Sequence, residues 1–219
     1  MDLSYFMRER TAIIRLFYDK GQLPFEQMKK DIEDEVPPWE PPPFDPDTDH
    51  VEPPFLEEWM QAEQTRELVG MLAVSLLADT LTLYFADLEK EIGIAFVDPK
   101  ERVALFRRGK VEAYRQILQA VMGDAFASCP VRFDVIEQVI LARNDIAHGG
   151  DLMSVNARHN QKTLEKHPNP FFVDVDNRAQ PGSLAWNVLK IEVSREKLLA
   201  AVDEVEKLAF WVQENEDAI

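Results

Sequence analysis

Apolar residues recur at helical spacing along most of this chain, and the pattern predicts a mainly α-helical protein. The C-terminal part shows it clearly, with Leu198, Val202 and Val205 on one face. Two short segments, Phe171–Val175 and Asn187–Val193, instead predict a small β-hairpin before the last helix. The predicted helices cover 3–19, 24–36, 55–92, 99–122, 133–148 and 194–214.

Glycine, proline and serine set the predicted helix boundaries. Gly21 and Pro24 separate the first two helices, and Gly123 ends the fourth. An unbroken helix over 55–92 would be about 57 Å long, which exceeds what a domain of this size needs. We therefore expect a break or kink near Gly70. Ser194 is a good N-cap for the last helix.

The chain divides into two parts by composition. Residues 1–54 are predicted to form a helical extension that ends in an acidic, proline-rich linker, and residues 55–219 the main helical domain. The bulky side chains of Trp39, Phe44 and Phe55 lie in or beside the linker. Such groups indicate docking onto a surface, either of the core or of a partner protein.

The charge of the chain is strongly negative and unevenly distributed. A formal charge of -16 and a pI near 4.7 argue against general affinity for nucleic acid, because phosphate binding depends on excess Lys and Arg. However, residues 31–58 alone contain 11 acidic residues and no Lys or Arg. Residues 100–115 hold six basic residues against two acidic ones. This basic stretch is either a solvated helix face or a track for nucleic acid.

The run Arg-Asn-Asp-Ile-Ala-His from Arg143 to His148, followed by two glycines, is the strongest candidate for chemistry. Arginine offers a charged planar fork to phosphate, and histidine exchanges protons near neutral pH. Asn144 and His148 share a helix face, whereas the long Arg143 side chain must curl around to reach them. Together they suit metal-free cleavage of a phosphodiester. Alternatively, Arg143 caps carbonyls and the helix dipole favours a histidine in the last turn.

This spacing of arginine, polar residue and histidine at the end of an inner helix resembles the motif of the HEPN superfamily of all-helical, nucleotide-associated proteins. The motif match covers Arg143 to His148, and the helical layout agrees over roughly 55–216. The resemblance implies a HEPN-like helical bundle and a metal-independent endoribonuclease. It also implies a homodimer that brings two motifs together, in a setting of defence, stress or toxin-antitoxin control.

The resemblance further implies roles for individual residues. His148 would act as general acid or base around the ribose 2′-hydroxyl, Arg143 would hold the scissile phosphate, and Asn144 would orient the phosphate or His148. The RNA product would carry a 2′,3′-cyclic phosphate, and DNA would stay intact. The basic residues expected to bind the RNA substrate are Arg107, Arg108 and Lys110.

Two other interpretations compete with this one. The chain could be a non-catalytic interaction module, such as a nucleotidyltransferase partner or a regulator like the mannitol-operon repressor, which the negative charge favours. In the other, the acidic residues 31–58 mimic nucleic acid and cover the basic face.

The sequence indicates no metal, cofactor or membrane span. His159 and His167 have no cysteine partners at ligand spacing, and we expect both to be exposed in a polar loop. The apolar stretch 68–86 contains Asp79, which favours a buried central helix over a membrane span. The N-terminus lacks a signal-peptide pattern and Cys129 is the single cysteine, so we expect a cytoplasmic protein without an internal disulfide.

Overall fold

The computed structural model describes residues 2–43, 52–93, 99–148, 157, 159, 161–173 and 190–216. These residues are mainly helical, as the sequence predicts. The helices are α1 (Leu3–Glu33), α2 (Leu56–Ile92), α3 (Pro99–Phe106), α4 (Lys110–Met122), α5 (Phe133–His148), α6 (Gln161–Lys166) and α7 (Arg195–Glu214), with a 3₁₀ helix at Gly123–Ser128.

The N-terminal segment is one helix, so the predicted division at Gly21 and Pro24 is wrong. Asp2 caps α1 by accepting a hydrogen bond from the Tyr5 N–H at 2.9 Å, and the helix continues through Pro24. An internal proline removes one backbone hydrogen bond. The packing of α1 against α2 offsets this lost hydrogen bond. The two helices are close at Gly21, where a Cβ would lie only 3.0 Å from Val69 Cγ1. Tertiary packing here outweighs the local sequence signals.

The central helix α2 is continuous over 37 residues, about 55 Å, so the predicted break near Gly70 is also wrong. Gly70 instead permits a close approach, because a Cβ there would lie 2.9 Å from the carbonyl oxygen of Val193. Among the described helices, α2 alone is long and apolar enough to cross a membrane, yet 61% of its most apolar window is buried inside the protein. This burial fits a central core helix.

The hydrophobic core surrounds the second half of α2, where Leu77, Leu81 and Phe85 have no exposed surface. Phe85 stacks on Tyr114 of α4, with ring centroids 4.0 Å apart. The other contributing residues include Met7, Ile14 and Tyr18 of α1, Ile136 and Val139 of α5, and Leu198, Val202 and Val205 of α7. The N-terminal helix therefore belongs to the same core as the helices of the main domain.

The predicted helix over 99–122 is interrupted by a turn that includes Gly109. Gly109 has φ of +111°, a conformation that favours glycine, and it separates α3 from α4. Gly123 ends α4 as predicted, with φ of +56°. The turn takes Arg107 and Arg108 out of the helix that begins at Lys110.

In the region of the predicted hairpin, the described residues form no strand and contain one isolated antiparallel bridge, between Val173 and Ile191. The N–H of Glu192 donates to the carbonyl of Phe172 at 3.0 Å beside it. The remainder of both predicted strands, within 174–189, lies outside the described residues. Ser194 caps α7 as predicted by accepting from the Lys197 N–H at 3.2 Å.

Candidate functional site

Two of the motif residues, Arg143 and Asn144, line an open groove of about 380 Å³ between α2, α4 and α5. Asp79 and Thr82 of α2 form one side of the groove, and Lys110 at the start of α4 contributes a second cation. Buried apolar residues on these three helices hold them in the common core. The groove is therefore built on fixed helices.

Arg143 faces Asp79 across the groove without closing a hydrogen bond. Its Nε lies 3.6 Å from Asp79 Oδ1, and the two side chains are 39% and 62% exposed. A pair at this distance and exposure contributes about 0–1 kcal/mol to stability. A phosphate could therefore replace Asp79 as the partner of Arg143 at little cost.

Lys110 is the second cation of the groove. Its Nζ donates to Thr82 Oγ1 at 3.3 Å. Burial lowers the pKa of Lys110, and the positive charge of Arg143 lowers it further, while Asp79 and Glu89 act in the opposite direction. The fold thus holds two like charges close together, an arrangement that an anionic ligand would stabilise.

His148 lies at the end of this site and does not line the groove. It is the last residue of α5 and is exposed, as is Asn144. His148 comes four positions after Asn144 in the helix, so it lies about 6 Å further along the same face. Arg107 and Arg108 are exposed in the turn before α4, and neither lines the groove. Of the predicted site residues, the groove brings together Arg143, Asn144 and Lys110.

The prediction that His159 and His167 are exposed is wrong. The His159 side chain is 6% exposed, and its Nε2 lies 3.0 Å from Asp145 Oδ2. His167 is 5% exposed, and its Nε2 lies 3.2 Å from Glu137 Oε2. Both acids belong to α5 and give the histidines polar partners inside the protein. His159 and His167 therefore contact α5 through these two acids.

Asp79, Thr82 and Glu137 also line the groove, and none of the three was predicted from the sequence as a site residue. Asp79 carried a visible signal, since it interrupts the most apolar stretch of the chain. Glu137 carried none, and its Oε1 accepts from Lys166 Nζ at 2.7 Å. Within the described residues, no group of three or more His, Cys, Asp or Glu side chains is placed to hold a metal ion.

Comparisons of this chain with protein-family models, with curated proteins and with solved structures found no match.

Proposed function

We propose that this groove binds single-stranded RNA and that the protein cleaves it without a metal ion, as a HEPN-type ribonuclease. The observation that carries the proposal is the convergence of Lys110 and Arg143, from different helices, on one open groove beside Asn144. A phosphodiester would compete with Asp79, which is held only weakly, for contact with these two cations. Arg143 would present its planar fork to the phosphate oxygens.

The proposed reaction gives a role to His148, which ends α5 next to the groove. The ribose 2′-oxygen attacks phosphorus, its proton passes to a base, and the bond to the 5′-oxygen breaks as that oxygen gains a proton. His148 performs one of these two proton transfers. Arg143 stabilises the extra negative charge that develops on the phosphoryl oxygens. The products are a 2′,3′-cyclic phosphate and a 5′-hydroxyl, and DNA has no 2′-hydroxyl to react.

The negative charge of the chain does not extend over the groove. Its charged lining residues are two cations, Lys110 and Arg143, and two acids, Asp79 and Glu137. Glu137 already accepts from Lys166. The local balance is therefore close to neutral or positive, in contrast to the 11 acids of residues 31–58. Phosphate binding at the groove is compatible with a net charge of -16.

The test of catalysis compares the wild type with His148→Ala on labelled single-stranded RNA and on DNA of the same sequence, in EDTA. We expect the wild type to cut RNA alone and to leave cyclic-phosphate ends, and His148→Ala to bind RNA without cutting it. The surface variant Arg10→Ala, on α1 outside the groove, serves as a control. Equal cutting by His148→Ala would exclude His148 from catalysis. A wild type that neither binds nor cuts RNA would refute the proposal.

We also propose that the active form is a homodimer that pairs through α2. This helix exposes a row of leucines, each between 45% and 49% exposed: Leu68, Leu72, Leu76 and Leu83. Asp79 lies in the same row and also lines the groove. Pairing along the row would bury the leucines and place the grooves of two copies beside each other.

The dimer proposal is tested by sedimentation of Leu76→Glu, which we expect to be a monomer with reduced RNA cleavage. Leu16→Glu is the matched control, since Leu16 is 58% exposed on α1. A wild type that sediments as a monomer over the working concentrations would exclude this interface.

A further inference from the structure

A second cavity lies where the linker meets the ends of α1 and α2, and we refer to it as the aromatic pocket. It has a volume of about 390 Å³, and its walls include Trp39, Phe55, Trp59, Pro41, Pro53 and Pro54. This volume falls within the usual range of ligand sites. Phe44, which the sequence also predicts to dock, lies outside the described residues.

The aromatic walls of the pocket are fixed in place. Trp39 and Phe55 meet edge to face, with centroids 5.3 Å apart and ring planes at 79°. The indole N–H of Trp59 donates to Glu33 Oε1 at 2.8 Å, which sets the orientation of that ring. All three rings are half-buried, so one part of each still faces solvent. Fixed, partly exposed aromatic rings are typical of anchor sites for a partner.

The rim of the pocket is acidic. Glu33 and Glu35 line it directly. Residues 31–43 and 52–58 include eight acids and no Lys or Arg, whereas Lys29 of α1 lies over the Trp59 ring. This field attracts cations and repels acidic segments. The apolar cavity and the strongest charge run of the chain therefore coincide.

The chain itself shows how a cation fits these rings. Lys29 Nζ lies 4.1 Å from the centroid of the Trp59 ring and also pairs with Glu63 at 2.5 Å. An ammonium group between an aromatic face and a carboxylate is a stable arrangement. In addition, the three wall prolines carry no backbone N–H and can only accept hydrogen bonds there. The pocket thus suits a ligand rich in donors.

We propose that the aromatic pocket docks a short basic segment of a partner protein. One apolar side chain of the segment enters the cavity beside the paired rings of Trp39 and Phe55, and the flanking Lys or Arg side chains meet the acidic rim at Glu33 and Glu35. Basic residues without the apolar anchor would bind weakly, because exposed ion pairs contribute little. This site is separate from the RNA groove, which none of the pocket residues lines.

The experiment measures binding of a labelled peptide with two arginines on each side of a single leucine, by fluorescence anisotropy with the full chain. The control peptide has glycine in place of leucine. We expect the leucine peptide to bind saturably and the glycine peptide at least about tenfold more weakly. Equal binding of both peptides would show a non-specific charge effect and overturn the proposal.

Two sets of variants test the pocket itself. Trp39→Ala should weaken the leucine peptide by about tenfold, with an unchanged melting temperature as the check on folding. The pair Glu33→Gln and Glu35→Gln should weaken binding and flatten its salt dependence. The pair Glu9→Gln and Asp124→Asn makes the same charge change on exposed residues outside the pocket, and should have no effect.

Two outcomes would show that the pocket does not dock a partner protein. If Trp39→Ala binds the peptide as well as the wild type does, the pocket is not the binding site. If only Phe44→Ala binds the peptide, the chain's own linker is the occupant. Either result would overturn the proposal.

Discussion

Replacing Lys110 with methionine should weaken RNA binding without lowering the stability of the fold. Methionine has a similar length and no charge, so the variant relieves both the burial of a cation and its repulsion from Arg143, the two causes that lower the pKa of Lys110. The loss is one hydrogen bond to Thr82, which is long at 3.3 Å. We expect the free energy of unfolding to stay constant or to rise by about 0.5 kcal/mol.

RNA binding by the same variant should become weaker and less dependent on salt. Each cation that contacts a phosphate of a single strand contributes about 0.7 to the slope of log K against log salt concentration. Removing one such contact therefore lowers affinity about fivefold at roughly 0.1 M salt. The assay is fluorescence anisotropy with a labelled single-stranded RNA in EDTA at several salt concentrations, combined with urea denaturation.

The matched control for Lys110→Met is Arg10→Met, which makes the same charge change at an exposed position of α1 that does not line the groove. If both variants lose affinity and salt dependence equally, RNA responds to the net charge of the protein and not to the groove. If Lys110→Met binds RNA like the wild type, Lys110 makes no phosphate contact. Marked destabilisation of Lys110→Met would refute the argument about like charges.

Two further predictions concern the stability of the helical fold. Gly70→Ala should destabilise the protein by about 1–2 kcal/mol, as measured by urea unfolding, because the new Cβ meets the Val193 carbonyl. The same change in an exposed helix stabilises by about 1 kcal/mol. A gain in stability would therefore contradict the close approach of Val193 to Gly70. Hydrogen bonding from Arg66 lowers the pKa of Glu63 from 4.5 to about 2. The ionised Glu63 side chain therefore stabilises the fold fully above pH 4.5, and this stabilisation is lost as the pH falls toward 2. Glu63→Gln should lower the free energy of unfolding by about 1 kcal/mol at neutral pH and by less at pH 3, as measured by urea unfolding.

Much of the helical fold follows from periodicity, but helix continuity does not. The apolar faces and end signals predict α5 and α7 well, including the Ser194 cap. The wrong predictions of where a helix breaks or continues all involve glycine or proline. Pro24 and Gly70 lie inside continuous helices because α1 packs along α2 and the Val193 backbone packs against Gly70. Gly109 does interrupt a helix, although the residues around it give no stronger helix-ending signal than those around Pro24 and Gly70.

The sequence predicted three residues of the candidate site: Arg143 and Asn144, which are consecutive, and Lys110 from the basic stretch 100–115. The contributions of Asp79 and Glu137 depend on how α2 and α5 pack, which periodicity does not specify. The buried positions of His159 and His167 depend on acids of α5 that lie before them in the chain. The polar character of the loop, taken alone, therefore wrongly predicts that both histidines are exposed.

The continuity of α2 also determines how the two proposed sites relate. Trp59 lies near the start of α2 and Asp79 lies 20 residues later, so the aromatic pocket and the groove are about 30 Å apart along one helix. Coupling between distant sites requires an element with two arrangements that both ligands bias. A helix that is unbroken at Gly70 and packed into the core along one face offers a single arrangement. Peptide binding should therefore leave the salt dependence of RNA binding unchanged, and Lys110→Met should leave peptide affinity unchanged.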